Sequence, residues 1–316
     1  MRESGRRARA FAPATVSNVG CGFDIFGFAV DGPGDRVTAT RVERPGIALV
    51  DIEGDGGALP REAERNTAGV AASRVLAEAG ARGGLDLVLH KAMPLASGLG
   101  SSAASAVAAA VAADAALGAG LPTDVLLRCA VEGERAACGA AHADNVAPCL
   151  HGGFVLVRKG LQVTPLPVPE GLFCALLRPH VAVDTGAARA GLPDTVPVPD
   201  AVEQWGNTAA LVAALFRSDW ELLAAAVTDR FAEPLRQGKV PAFREMRDAA
   251  LEAGALACGL SGSGPTLFAL CRGAEAARAV SQSMARALER VSSLPYDAFI
   301  SPVGSPGARL ITEGSP

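Results

Sequence analysis

Lysine is nearly missing from this chain: Lys91, Lys159 and Lys239 are its only three in 316 residues, and the formal charge is −4. With a pI near 5.7 there is no broad basic surplus to neutralise nucleic acid phosphates or an anionic membrane, so any anion must be held locally. The seven cysteines, Cys21, Cys129, Cys138, Cys149, Cys174, Cys258 and Cys271, contain no C-x-x-C pair, and the four histidines are separated. That excludes the usual zinc patterns and leaves reduced thiols. The P-loop pattern G-x-x-x-x-G-K-[ST] does not occur. Long apolar runs are missing as well. The positive mean hydropathy of +0.26 comes from alanine, and the run Ala103 to Ala113 ends at Asp114, well short of a bilayer span. The basic start, Met1 to Arg9, leads into Phe11-Ala12-Pro13-Ala14-Thr15 with no apolar export core. The expectation is a soluble cytoplasmic protein of two domains.

What is present is an anion-binding junction. Pro94-Leu95-Ala96-Ser97-Gly98-Leu99-Gly100-Ser101-Ser102-Ala103-Ala104 carries a Gly/Ser loop into an alanine-rich helix that continues through Val107, Val111 and Leu117. Glycine admits backbone angles closed to other residues and lets a ligand approach the amides. Ser101 or Ser102 is expected to cap the helix, whose first amides and dipole favour negative charge. Gly98-x-Gly100-x-x-Ala103 fits a dinucleotide fingerprint only loosely: five residues, Met93 to Ser97, separate the preceding strand from the glycines, and Asp114 falls inside the helix rather than at a strand tip. A third kind of phosphate loop is indicated.

Around this loop the pattern is α+β. Strand signals occur at Arg36 to Val42 and Leu85 to Lys91, with Asp31-Gly32-Pro33-Gly34-Asp35 read as a turn. Helices are expected from Asn66 to Ala79 and from Pro122 to Ala137, followed by a strand near Gly153 to Val157. The Pro/Val-rich stretch Val163 to Pro169 suggests a boundary between domains 1–168 and 169–316. Beyond it come a strand from Phe173, helices near 201–217, 220–230, 242–253 and 274–291, a strand pair about Gly262-Ser263-Gly264, and a closing strand at Ala298 to Ser301. The Gly/Pro/Ser tail from Gly304 is expected to be mobile.

Further polar groups cluster along the chain. Asn18 and Asp24 flank a Gly-x-Gly turn and suit an ammonium group, or else satisfy their own backbone. Glu132, Glu134, His142, Asp144 and Asn145 include carboxylates of the kind that hold magnesium beside phosphate. Thr185 and Arg189 lie in one segment and Arg236 in another, and either guanidinium suits a carboxylate. Lys91, three residues before Pro94, either faces a nucleotide or is a strand-end lysine with its head in water. The loop Gly259 to Thr266, taken with the first loop, suggests two domains closing on a ligand.

Three blocks in order, the Pro13-Ala14-Thr15 segment, Pro94 to Ala104, and Gly262-Ser263-Gly264-Pro265, resemble the three motifs of the GHMP kinases. Val16-Ser17-Asn18-Val19-Gly20 with Phe23-Asp24, His142 to Pro148, and Glu233-Pro234-x-Arg236 narrow the resemblance to the homoserine kinases within that superfamily. It implies a ribosomal-protein-S5-like N-terminal domain, a ferredoxin-like C-terminal domain, a homodimer, and ATP-dependent phosphorylation of the L-homoserine hydroxyl in threonine biosynthesis. Carried over by motif, residues 94 to 104 wrap the phosphates, Ser102 and Glu134 hold Mg²⁺, and Asn66 and Lys91 lie toward the nucleoside. Asn18 and Asp24 take the substrate ammonium, Arg189 and Arg236 its carboxylate, Thr185 is a further substrate-binding residue, and Asn145 orients the attacking hydroxyl. Relatives acting on other alcohols have an aspartate base where Asn145 stands, so catalysis by positioning is implied. Leu235 replaces a common tyrosine and Asp184 a common serine. The competing readings are a GHMP kinase for another alcohol, a nucleotide-binding regulator without turnover, and, more distantly, a dinucleotide oxidoreductase.

Overall fold

The computed structural model describes residues 5–139 and 142–312. The elements run β1 (Arg7–Ser17), β2 (Phe26–Val42), β3 (Gly46–Glu53), α1 (Thr67–Glu78), β4 (Gly84–His90), α2 (Ser101–Leu117), α3 (Thr123–Cys138), α4 (Ala143–His151), β5 (Phe154–Arg158) and β6 (Gln162–Leu166). There follow β7 (Leu172–Pro179), α5 (Thr185–Ala190), α6 (Val198–Arg217), α7 (Trp220–Ala226), α8 (Glu233–Arg236), α9 (Phe243–Glu252), β8 (Ala257–Leu260), β9 (Leu267–Arg272), α10 (Ala274–Val291), β10 (Tyr296–Pro302) and β11 (Arg309–Leu310). The architecture is α+β, as the sequence predicts.

The first sheet has the order β11-β1-β2-β4-β3, with β5 and β6 added beside β2. Alternation sets its core face: Leu85, Leu87 and Leu89 of β4 are fully buried, while Asp86, Val88 and His90 between them are less so. Over the sheet lies α2, buried almost all round, as a helix that is apolar on every side must be. Its alanines let α1 and α3 pack closely against it. The second sheet is antiparallel, β10-β7-β9-β8. α9 and α10 cover it, burying Phe243, Met246, Val280, Met284 and Leu288 against Leu177, Leu267 and Ala269.

Two sequence expectations are corrected, and one segment for which no element was expected is helical. The stretch Asp31 to Asp35 is not a turn between strands, because β2 runs through it: Thr15 pairs with Ala29 and Pro13 with Gly34, so Ala14 alone faces four residues of a wide bulge. One strand thereby serves two neighbours, β5 at its start and β4 at its end. The segment Ala143–His151 is helical, with Pro148 removing one internal bond, that to the Asp144 carbonyl. The tail is tied down as far as Thr312: Gly304 and Ser305 donate to the Ala29 carbonyl, Ile311 to the Arg9 carbonyl, and β11 pairs with β1. An unpaired edge of β1 offers that segment partners. Residues 313–316 lie outside the described residues. Among the described residues no helix is long and apolar enough to cross a membrane.

Candidate active site

The loop before α2 adopts left-handed angles at Ala96, Gly98 and Gly100, with φ of 49°, 76° and 69°. At Gly98 a Cβ would stand 2.6 Å from the Ser261 carbonyl and 2.7 Å from that of Gly264. At Gly100 it would stand 2.3 Å from Thr15 Oγ1 and 2.9 Å from Asn145 Oδ1. Both glycines are therefore required by close approach as well as by angle. The late Gly-Ser-Gly-Pro loop is the floor of this first loop: Ser261 Oγ donates to the Gly98 carbonyl at 2.6 Å, and Thr266 Oγ1 to that of Ser97 at 2.6 Å. The two loops are in direct contact, and both line one cleft.

Neither serine caps α2. Its N-cap is Gly100, which has no side chain to cap the first turn. The reason is visible in the packing: the Ser101 carbonyl and Ser105 Oγ are drawn inward to Lys91 Nζ, at 2.6 and 2.9 Å, and Ser101 Oγ is buried without a partner. The first turn of α2 thus opens on a cleft of about 430 Å³ with no N-cap side chain across it. Lys91 itself is buried on the Asp35 carboxylate at 2.5 Å, and Asp35 also accepts from the amides of Ala92 and Met93 at 3.1 and 3.0 Å. Its ammonium therefore braces the helix start from beneath, while the residue also lines the cleft. Asn66 lines the cleft while capping α1 through Ala68 N at 3.0 Å.

Glu134 and Glu132 separate cleanly. Glu132 lies outside, bonded to Arg135. Glu134 is buried at the cleft, with Oε1 3.2 Å from His142 Nδ1 and Oε2 without a partner. Among the described residues no three His, Cys, Asp or Glu side chains gather into a cation cage. One orphaned carboxylate oxygen opposite an uncapped helix start fits a magnesium ion that takes its other oxygens from phosphate and water. Asn145 is held at both ends, accepting from Thr15 Oγ1 at 2.8 Å and donating to Ser17 Oγ at 3.0 Å.

The far end of the cleft is a charged cluster. Asp24 forms a bidentate pair with Arg189, which raises the Arg189 pKa. Asp24 and Arg189, expected to meet two different substrate groups, here satisfy each other. Asn18 accepts from the Asp24 amide and donates to the Gly262 carbonyl, each at 3.1 Å. Arg236 is buried beside the Phe23 ring, donates to the Gly262 carbonyl at 3.1 Å, and has its pKa lowered by that burial. Thr185 Oγ1 lies 3.1 Å from Ser263 Oγ.

Residues 66–153 match the GHMP kinases N terminal domain and residues 211–290 the GHMP kinases C terminal domain. Over 97% of this chain and 100% of its own length, the homoserine kinase of Chlorobium phaeovibrioides is 45% identical; that of Chlorobaculum tepidum is 43% identical over 96% and 98%. The crystal structure of homoserine kinase from Cytophaga hutchinsonii superposes with a TM-score of 0.94 at 46% identity, covering 97% of this chain and 98% of that one. The chain belongs to the homoserine kinases of the GHMP family.

In this GHMP kinase the cleft gathers Asn18, Asp24, Asn66, Lys91, Leu95 to Gly98, Gly100 to Ser102, Glu134, Asn145, Thr185, Arg189 and Arg236. Pro94, Leu99, Ala103 and Ala104 do not line it; the last three are fully buried in the core and serve the loop by packing. Leu235 is half exposed and away from the cleft. Asp144 is the residue that sequence reasoning left in the background. It is buried at the cleft with Oδ1 unpartnered, and burial, with Asp24 adding to it, pushes its pKa up to about 6. Its adjacency to Asn145 was the available signal.

Two stability predictions follow from buried charges in this kinase. Lys91→Met strands Asp35 and is expected to cost about 3–5 kcal/mol in urea unfolding, whereas Lys91→Met combined with Asp35→Asn costs less than the sum of the single changes. Glu233 of α8 accepts from the Leu260 amide at 2.7 Å, and burial pushes its pKa up to about 7. A folded pKa above the unfolded one means the native state binds more protons between the two values, so stability falls as pH rises through about 4.5 to 7. Between about pH 5 and pH 8 the wild type is expected to lose about 2–3 kcal/mol more than Glu233→Gln in paired urea titrations.

Proposed function

We propose that this chain transfers the γ-phosphoryl group of ATP to the side-chain hydroxyl of L-homoserine, forming O-phospho-L-homoserine for threonine synthesis. One observation carries the reading: uncapped α2 amides and the orphaned Glu134 Oε2 share a cleft with a guanidinium and carboxylate cluster suited to an amino acid. The relatives named above carry the same activity in their names. Residues 1–168 hold the nucleotide and residues 169–316 complete the acceptor side, in a cytoplasmic homodimer with no nucleic acid or membrane partner.

The amides of Leu95 to Gly98 and Gly100 to Ser102 hold the phosphate oxygens, and the fixed α2 dipole adds to their field. Ser102 and Glu134 are the residues that would hold Mg²⁺, which supplies charge neutralisation at the phosphates when bound. Arg236 takes the substrate carboxylate. Asp24 is already occupied by Arg189, so the Asp144 carboxylate, whose Oδ1 has no partner, takes the ammonium together with Asn18. Asn145, clamped by Thr15 and Ser17, orients the acceptor hydroxyl. The hydroxyl oxygen attacks the γ-phosphorus as the bond to ADP breaks, and its proton leaves to phosphate or water, since an amide cannot take it. A loose phosphoryl transition state needs little help from a base.

A coupled ADP-release assay across homoserine, serine, shikimate and mevalonate is expected to show turnover with homoserine foremost; turnover confined to mevalonate would refute the amino-acid assignment. In the same assay Glu134→Gln lowers kcat by about 100-fold or more. Asn145→Asp gives no gain, and a sharp rise in its kcat would show that a base had been wanting.

A further inference from the structure

The apolar residues of α6 do not all face inward. Leu211, Ala214 and Leu215 are buried against the protein, yet Val198, Val202, Trp205 and Phe216 are 72, 55, 67 and 66% exposed. Ala209 is exposed too, and Val212 is partly so. At 100° per residue, positions 198, 202, 205, 209, 212 and 216 fall on one narrow stripe, well away from the buried face. The intervals alternate four and three, the spacing by which one helix packs along another. No charged residue occurs from Gln204 to Phe216, so nothing on this stretch of the helix repels a second apolar surface.

The interval pattern reads the same in both directions. Laid antiparallel against a copy of itself, with a twofold axis at the level of Asn207, the stripe pairs Val198 with the partner's Phe216, Val202 with the partner's Val212, and Trp205 with the partner's Ala209. A large side chain meets a smaller one at both the outer and the central layers, which is how facing positions interdigitate. Gly206 and Ala213 flank the stripe and let the backbones approach. The same arrangement brings Arg217, 72% exposed, to the end of the partner helix that the exposed Asp194 precedes, and sets each helix end against one of opposite dipole.

We propose that α6 is the contact through which two copies of this chain pair antiparallel about a twofold axis. The inference supplies the surface for the homodimer suggested above and is independent of the substrate. Two aromatic rings exposed over two thirds of their surface, with the valines and Ala209, amount to roughly 400 Å² per copy, about half of the ~800 Å² a stable interface takes from each partner. The exposed run Pro193–Pro197 leading into α6 extends the contact, and a dissociable dimer is expected.

Sedimentation of the full chain over about 1 to 100 µM is expected to show a species of twice 31.9 kDa that dissociates on dilution. Trp205→Glu should weaken self-association by about 100-fold or more with an unchanged circular dichroism spectrum and melting temperature. Trp205→Ala alone weakens it, and Trp205→Ala with Ala209→Trp restores it, because only a twofold pairing of 205 with 209 makes that exchange compensating. A wild type that stays monomeric throughout, or a dimer indifferent to Trp205→Glu, overturns the proposal. Homoserine kinase activity in a monomeric variant leaves the reaction assignment standing, so the two readings fail separately.

Discussion

The geometry of the catalytic cleft depends on one buried ion pair. Lys91 at the end of β4 and Asp35 at the bulge of β2 meet out of water, and between them they collect the Ser101 carbonyl, Ser105 Oγ and the amides of Ala92 and Met93. An isolated buried charge is costly, so each partner holds the other in place. Both ends of the phosphate loop are thereby fastened to the first sheet. The start of α2 is held from within, which leaves its first amides turned to the cleft without the serine cap that such a helix ordinarily takes.

The rest of the site is built by layering on that anchor. The loop from Ser261 to Thr266, carried at the turn between β8 and β9, supplies hydroxyl donors to the outer carbonyls of the phosphate loop. The second sheet therefore shapes the loop before α2 as well as the charged end of the cleft. Asn145 and Glu134 approach from α4 and α3, and His142 touches the inner Glu134 oxygen while the other is left for a ligand. At the acceptor end a cation–carboxylate pair, a buried arginine and a carboxylate with a raised pKa share a small volume. Such crowding of opposed charges suits recognition of a zwitterion, because the substrate brings both signs at once.

The sequence carried the phosphate loop, most of the helices and the order of the motifs, since these rest on local rules: glycine angles, helix periodicity and strand alternation. It misplaced features whose outcome depends on a distant partner. Asp31 to Asp35 has every mark of a turn, yet β5 and β4 hold its two flanks in one strand. The tail from Gly304 reads as unstructured until the edge of β1 offers it hydrogen bonds. Lys91 reads as a nucleotide contact or as a strand-end lysine with its head in water, and folding buries its ammonium on Asp35, far away in the chain.

The family and the reaction class were legible along the chain, because the motifs that carry them are runs of neighbouring residues, a loop-to-helix junction suited to an anion among them. Which of those residues remain available to a ligand was decided by folding. Asp24 and Arg189 are 165 positions apart and meet only in three dimensions, whereas Glu134 and Asp144 keep an oxygen apiece because nothing nearby can reach it. A side chain's type is local, but its unspent hydrogen-bonding capacity depends on every element packed around it, and that is a property of the tertiary structure alone.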